Sequence, residues 1–324
     1  MQLHGLHHVT AVTGQIRDNL NFYTKVLGLR LVKKSVNQDD TSAYHLFYAD
    51  KVGSPGTDMT FFDWPQTGAD HRGTDSIVNT QFRVNGQAAL EYWVKRLDEH
   101  GVKHQPIETF NGRSILRFED PEGQRLTLVD DDGAPFEAQL WDGAGVPEEY
   151  AIRGFYGVQL SIPILGQLDH ILREILGFVE VGRQPSLDDP KEEVVIYAMD
   201  GGGPGKEVQV IVQPKVERAF LGGGGVHHVA FRVKDTAEKD AWEDVLNRRG
   251  LRNSGPVDRY YFQSLYFRVS AGILFELATD GPGFATDENV ETLGERLALP
   301  PFLEPYREQI ERNLKPLDTT ITTN

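Results

Sequence analysis

The feature that most constrains the fold is an internal repeat with one constant offset. Taking His8, Asn79, Gly157 and His228 as anchors, each is followed by a helical pattern ending at Gly28, Gly101, Gly177 or Gly250. Each unit then closes on a strand with a marker position at Thr60, Thr127, Gln209 or Glu276. Units three and four repeat units one and two: 157−8, 228−79, 177−28, 250−101, 209−60 and 276−127 all equal 149. Self-similarity of this kind means one supersecondary unit used repeatedly.

Each unit reads as a strand, an amphipathic helix and about three strands. Ile16, Leu20, Tyr23 and Leu27 share one helix face, as do Leu168, Ile171, Leu172, Ile175 and Leu176. Glycine just past the last turn is a C-cap signal. The expectation is an α+β fold of four tandem β-α-β-β-β modules: 4–65 and 76–131 in an N-terminal half (1–150), 152–214 and 222–282 in a C-terminal half (151–282). Residues 132–150 read as the linker, and 283–324 as a tail with a short amphipathic helix over 304–314. A single unit covers one sheet face with its helix and leaves the other bare, so units should pair around a cleft.

Two units carry the same dipeptide, His7-His8 and His227-His228, 220 residues apart. Alternation along a strand sends neighbouring side chains to opposite faces. His227, Val229, Phe231 and Val233 then lie under the helix, with His228 toward the cleft. In the closing strand Leu274, Glu276 and Ala278 take the cleft face. His8 is equivalent to His228, so His8, His228 and Glu276 form a candidate metal site, two imidazoles and one carboxylate with open positions. That requires the first and fourth units to share a cleft. The second and third units offer Asn79 with Thr127 and Gly157 with Gln209, poor ligands for a transition metal.

Bulk properties exclude several classes. Zero cysteines rule out disulfides and thiolate metal sites. A net charge of −15 argues against a nucleic-acid partner, which needs a basic face. No run approaches the roughly 18 apolar residues of a membrane span. Met1-Gln2-Leu3-His4 lacks a signal-peptide pattern, so a cytoplasmic location is expected. The stretch at 201–206 fails as a phosphate loop, because Asp200 replaces the first glycine and Glu207 the Ser/Thr; a hairpin loop is expected there.

The chain resembles the vicinal oxygen chelate (glyoxalase, bleomycin resistance, extradiol dioxygenase) superfamily, and within it the hydroquinone-type ring-cleaving dioxygenases. The segments that carry the resemblance are Gly5-Leu6-His7-His8-Val9-Thr10, Tyr44-His45-Leu46-Phe47-Tyr48-Ala49-Asp50, Gly53-Ser54-Pro55-Gly56-Thr57, Val226-His227-His228-Val229-Ala230-Phe231, and Arg259-Tyr260-Tyr261-Phe262 running to Leu274-Phe275-Glu276. It extends to the tail around Pro300-Pro301-Phe302. The resemblance implies Fe(II) at His8, His228 and Glu276, with Zn, Mn or Ni as substitutes in isolated protein, and a small aromatic diol and O2 as partners. It implies catalytic roles for Tyr266, Arg259, His227 and His7, and substrate binding by Thr10, Arg259 and Tyr266. Placing His7 and His227 beside the pocket conflicts with strand alternation. A bulge or a route through the subunit edge would reconcile the two. Tyr260 stands where close relatives often carry glycine. The expected activity is extradiol-type cleavage of a hydroquinone or catechol, in a chain that admits a homo-oligomer. The alternatives are a glyoxalase-like isomerase or lyase, which usually has a fourth protein ligand where this chain has Thr60, and a non-enzymatic binder of small aromatics.

Overall fold

The computed structural model of the chain describes residues 1–319; residues 320–324 of the expected tail lie outside the described residues. The first unit contains β1 (Leu6–Thr13), α1 (Ile16–Asn21), β2 (Arg30–Asn37), β3 (Asp40–Ala49) and β4 (Asp58–Asp63). The second contains β5 (Ser76–Val84), α2 (Gly86–Glu99), β6 (Glu108–Phe110), β7 (Arg113–Glu119) and β8 (Arg125–Asp130). The third contains β9 (Phe155–Ile162), α3 (Gly166–His170), β10 (Val179–Pro185), β11 (Glu193–Ala198) and β12 (Glu207–Val212). The fourth contains β13 (Val226–Val233), α4 (Thr236–Arg248), β14 (Asn253–Asp258), β15 (Phe262–Arg268) and β16 (Leu274–Pro282). The fold is the expected α+β arrangement of β-α-β-β-β units.

In every unit the first strand runs parallel to the last, a pairing that needs the helical crossover between them. Units then join through their first strands: β1 pairs antiparallel with β13, and β5 with β9. The strands thus form two eight-stranded arrays, β2-β3-β4-β1-β13-β16-β15-β14 and β6-β7-β8-β5-β9-β12-β11-β10, touching at the single bridge between Val226 and Ile77. The sheet ladder keeps the repeat offset. Ala230 faces Glu276 as Gln81 faces Thr127, and His8 faces Asp58 as Gly157 faces Glu207.

The helices cover the apolar face of each array. Val9, Val229, Phe231 and Phe275 are fully buried there, with Trp242 of α4 and Trp93 of α2. The helix after β1 departs from the regular pattern. From Phe22 to Val26 it widens into a π-helical turn, with Leu27 N–H reaching Phe22 O at 2.9 Å. The third unit does the same over Ile171–Ile175, and 171−22 is again 149. The stretch at 201–206 joins β11 to β12, the expected hairpin connection.

The tail leaves the fourth unit and returns to the first. Lys33 of β2 is buried and donates to Phe284 O at 2.9 Å, with Asp287 and Glu288 as its carboxylate partners. Tyr44 of β3 donates to Lys315 O at 2.8 Å. The tail helix is α5 (Arg307–Asn313), preceded by a 3-10 turn at Glu304–Tyr306. Residues 131–147 contain no strand or helix, and Glu148–Tyr150 form a 3-10 turn. No helix among the described residues is long and apolar enough to cross a membrane.

Asp63, the last residue of β4, has a buried Oδ1 with no hydrogen-bond partner. Burial lifts its carboxyl to about 6, with Lys315 opposing. The folded protein therefore holds this proton more tightly than the unfolded chain does. Its contribution to stability falls as pH rises from about 4 through about 6. Asp63→Asn should remove that fall. In urea unfolding the variant is expected to be ~1–2 kcal/mol more stable than the parent at pH 7.5, the gap closing toward pH 4.

Candidate metal centre and its cavity

His8 on β1, His228 on β13 and Glu276 on β16 converge. Their ligand atoms lie within 4.8 Å of one another, and all three side chains are buried. His8 Nε2 is 3.1 Å from Glu276 Oε2 and 3.3 Å from His228 Nε2, and His228 Nε2 is 2.9 Å from the same carboxylate oxygen. The β1–β13 ladder makes this possible by setting Thr10 opposite His228 and His8 opposite Ala230, the residue beside Glu276.

Both histidine pairs depart from strict alternation, and the ladder gives the reason. Leu6 faces Phe231 and His8 faces Ala230, so His7 is an extra residue on its strand; Thr10 faces His228 and Ala11 faces Val226, so His227 is the extra residue on the other. A β-bulge re-aims the side chain it inserts. The expectation that His227 lies under the helix with Val229 and Phe231 is therefore corrected. His227 lines the metal cavity, its ring 5.5 Å from Phe62 and 5.9 Å from Trp64. His7 is buried against Phe262, between His8 and β16.

The bulged histidines hold the ligand histidines. His7 Nδ1 lies 2.9 Å from His8 Nδ1, and His227 Nδ1 lies 2.8 Å from His228 Nδ1. His7 Nε2 is 3.2 Å from the Thr279 carbonyl, which only accepts, so Nε2 carries the His7 proton and Nδ1 is the acceptor. His8 then donates through Nδ1 and presents the Nε2 lone pair to the centre. The equivalent Nδ1–Nδ1 contact of the second pair allows the same arrangement for His228. Burial, then the neighbouring ligand histidine, holds His7 and His227 down to about 3, so both are neutral.

The donor set fits a divalent metal. Glu276 is fully buried, and its Oε2 makes no hydrogen bond among the described residues. Burial alone would raise its carboxyl, but His8 and His228 outweigh burial and hold it well below the usual range. Burial lowers His228, with Glu276 opposing. Two imidazoles and one carboxylate, with their ligand atoms converging on one point, form a set that a cation would satisfy. Ser264 donates to Glu276 Oε1 at 2.5 Å and orients the carboxylate.

The metal group opens into a cavity of about 310 Å³ walled by Phe47, Phe62, Trp64, Phe262 and Leu274. Arg259 and Tyr266 line it as well. Arg259 Nε donates to the Tyr266 hydroxyl at 3.1 Å, and its other end pairs with Asp39 at 2.9 Å. Burial, then Glu276, raises the Tyr266 phenol, which keeps its proton. Thr10 is fully buried and bonded to Thr60 at 2.8 Å, away from the cavity lining. Thr60 is 2.9 Å from His45 Nε2 and offers nothing to the metal position.

His45 lines the cavity between the rings of Phe47 and Phe62, a place the sequence argument did not assign. Alternation in β3 was the available signal, since Tyr44, Leu46 and Tyr48 take the core face. Ser264 was likewise legible as Tyr266 minus two on one strand. Tyr260 takes φ +70°, a left-handed conformation that glycine adopts without cost. It lies outside the cavity lining.

The chain belongs to the glyoxalase/bleomycin resistance protein/dioxygenase superfamily, whose family model matches residues 5–128. Within that superfamily its relatives are ring-cleaving enzymes by name. It is 47% identical, over 98% of its length and 100% of the relative's, to "Putative ring-cleaving dioxygenase MhqA" of Bacillus subtilis (strain 168). It is 30% identical, over 97% of its length and 96% of the relative's, to the chlorohydroquinone/hydroquinone 1,2-dioxygenase of Sphingobium indicum. A crystal structure of a "putative dioxygenase" from Bacillus subtilis matches with a TM-score of 0.90 at 36% identity, covering 99% of each chain. Glyoxalase I from Zea mays matches with a TM-score of 0.63 at 14% identity, covering 85% of this chain and 92% of that one, a likeness of fold alone.

His228→Ala should abolish stoichiometric divalent-metal binding, and Glu276→Gln should weaken it strongly. Metal analysis after dialysis against a weak chelator, with circular dichroism as a check on folding, measures both. Full metal occupancy in a folded His228→Ala variant would remove His228 from the site.

Proposed function

We propose that this protein is an Fe(II)-dependent, extradiol-type ring-cleaving dioxygenase that opens a hydroquinone-type or catechol-type diol with O2. The observation that carries the reading is a two-histidine, one-carboxylate group at the floor of an aromatic-walled cavity, in a chain whose relatives bear ring-cleaving names. Fe(II) held by His8, His228 and Glu276 would supply open coordination positions for substrate and O2 and the one-electron chemistry that O2 requires.

The chain's own residues do the rest. Phe47, Phe62, Phe262 and Leu274 enclose a flat ring and exclude water. Arg259 occupies the Tyr266 oxygen as a donor, so the phenol proton remains free to go to a substrate oxygen. Tyr266 then acts as the proton donor and positioner at the diol, and the Arg259 cation stabilises negative charge on that phenol or on the ring. His227, accepting at Nδ1 from His228, keeps Nε2–H as a second donor beside Trp64. His7 spends its only proton on Thr279 O, so its role is to fix His8. Thr10 acts through Thr60 and His45. A glyoxalase-like isomerase is disfavoured by Thr60, whose hydroxyl is engaged where a fourth ligand would stand.

Protein reconstituted with Fe(II) under anaerobic conditions should consume O2 with a substituted hydroquinone or catechol, measured at an oxygen electrode. No uptake across a panel of both would refute the dioxygenase reading. Tyr266→Phe should lower kcat by about 10²-fold with a smaller change in KM, as for loss of a positioned proton donor. Equal losses in metal content would instead make Tyr266 a structural residue.

A further inference from the structure

The larger cavity of this protein is elsewhere. The cleft between the second and third units encloses about 480 Å³, against about 310 Å³ at the metal group. It is built to the same plan. In the β5–β9 ladder, Ile77 faces Leu160 and Asn79 faces Gln159, so Val78 is the bulged residue; Gln81 faces Gly157 and Phe82 faces Phe155, so Tyr156 is the other. Val78 and Tyr156 correspond to His227 and His7 at offset 149, and both line this cavity.

Its floor holds three amides and one carboxylate where the other cleft holds the two histidines and Glu276. Gln81 and Gln159 both donate to Gln209 Oε1, at 3.0 and 3.1 Å, and Gln209 donates to Glu207 at 2.7 Å. A Cβ at Gly157, the position equivalent to His8, would meet Glu207 O at 2.8 Å, so no side chain fits there. The walls are apolar: Ile115, Val129 and Tyr156 form a cluster joined by Phe110, and Arg113 lies over the Tyr156 ring at 5.5 Å.

The lining is cationic in a chain of net charge −15: Arg72, Lys103, Arg113, Arg117 and Arg125 face Glu119, Asp188 and Glu207, five against three. Most of these cations are engaged. Arg72 pairs with Glu119, Arg117 with Glu108 and Asp188, and Arg113 donates to Asp130 O. Arg125 is half-buried in the lining, and its guanidinium makes no hydrogen bond or ion pair with any described residue. Burial, then Arg72, lowers its pKa, with Glu119, Asp188 and Asp70 opposing.

We propose that this second cleft is a binding site for a small carboxylate carrying a flat, apolar body, with Arg125 holding the carboxylate and the Tyr156 side of the cavity holding the ring. A guanidinium fork matches a carboxylate with two parallel donors. An uncommitted guanidinium in a cavity that also holds the Glu207 carboxylate suits a monoanion better than a phosphate dianion. The site involves no metal and does not depend on the activity proposed for the other cleft.

Sodium benzoate is the probe, titrated calorimetrically into the metal-free full-length chain, with acetate and inorganic phosphate as comparison arms. The expected result is one benzoate per chain, with acetate and phosphate at least tenfold weaker. Arg125→Gln should weaken benzoate about tenfold or more without changing O2 uptake at the metal cleft, and Arg259→Gln should leave benzoate binding unchanged. Lys103→Glu, an exposed change at the rim, should weaken it about threefold and decides the matter if Arg125→Gln does not fold. The proposal is overturned by absent saturable binding, by unchanged binding in folded Arg125→Gln or in Lys103→Glu, by phosphate binding as well as benzoate, or by loss in Arg259→Gln, which would place benzoate in the metal cleft.

Discussion

The antiparallel pairing of β1 with β13 is the contact on which the rest of the molecule depends. It joins the first unit to the fourth, sets residues 220 positions apart side by side, and leaves the second and third units to pair with each other. Bringing such distant strands together carries a large loop-closure cost. The return is two eight-stranded arrays, each covered on one face by helices. The tail reinforces the closure, since Lys33 of the first unit is buried against carboxylates that follow the fourth. The metal group stands on this seam, with one histidine from each side and the carboxylate from the strand next to it.

The second element of design is the pair of bulges. In regular strands a His-His dipeptide would split between two faces. One inserted residue on each strand instead keeps both rings of each pair near the cleft, so that one imidazole joins the candidate metal group and its neighbour contacts it through Nδ1. The same bulges occur in the other cleft, at Val78 and Tyr156, where they serve a cavity with no ligand set. The two clefts share the backbone device while their side chains differ, giving one buried group that could hold a metal and one arginine-lined cavity.

Legibility in the sequence followed locality. The β-α-β-β-β unit and its glycine caps depend on neighbours a few residues apart, and they were readable. Glu276 was readable too, because the repeat and the alternation of Leu274, Glu276 and Ala278 agree. His227 was misplaced by that same alternation, since an inserted residue leaves no mark in the pattern of apolar side chains. The π-helical turn at Phe22–Val26 was equally silent, because its apolar positions also satisfy ordinary helical spacing. Thr10 shares the cleft face with His8 but is cut off from the cavity by its bond to Thr60.

The sequence by itself determined the repeated unit, its offset and the three residues able to hold a metal, because periodicity and residue chemistry are local properties of the chain. Only the tertiary structure decided how those residues are used. Strand register, the two bulges and the paths of Arg259 onto Tyr266 and of Ser264 onto Glu276 arise from contacts between units. These contacts turn two identical dipeptides into two candidate ligands and two supports. They also close a second cleft whose unpaired arginine cannot be recognised from its place in the chain.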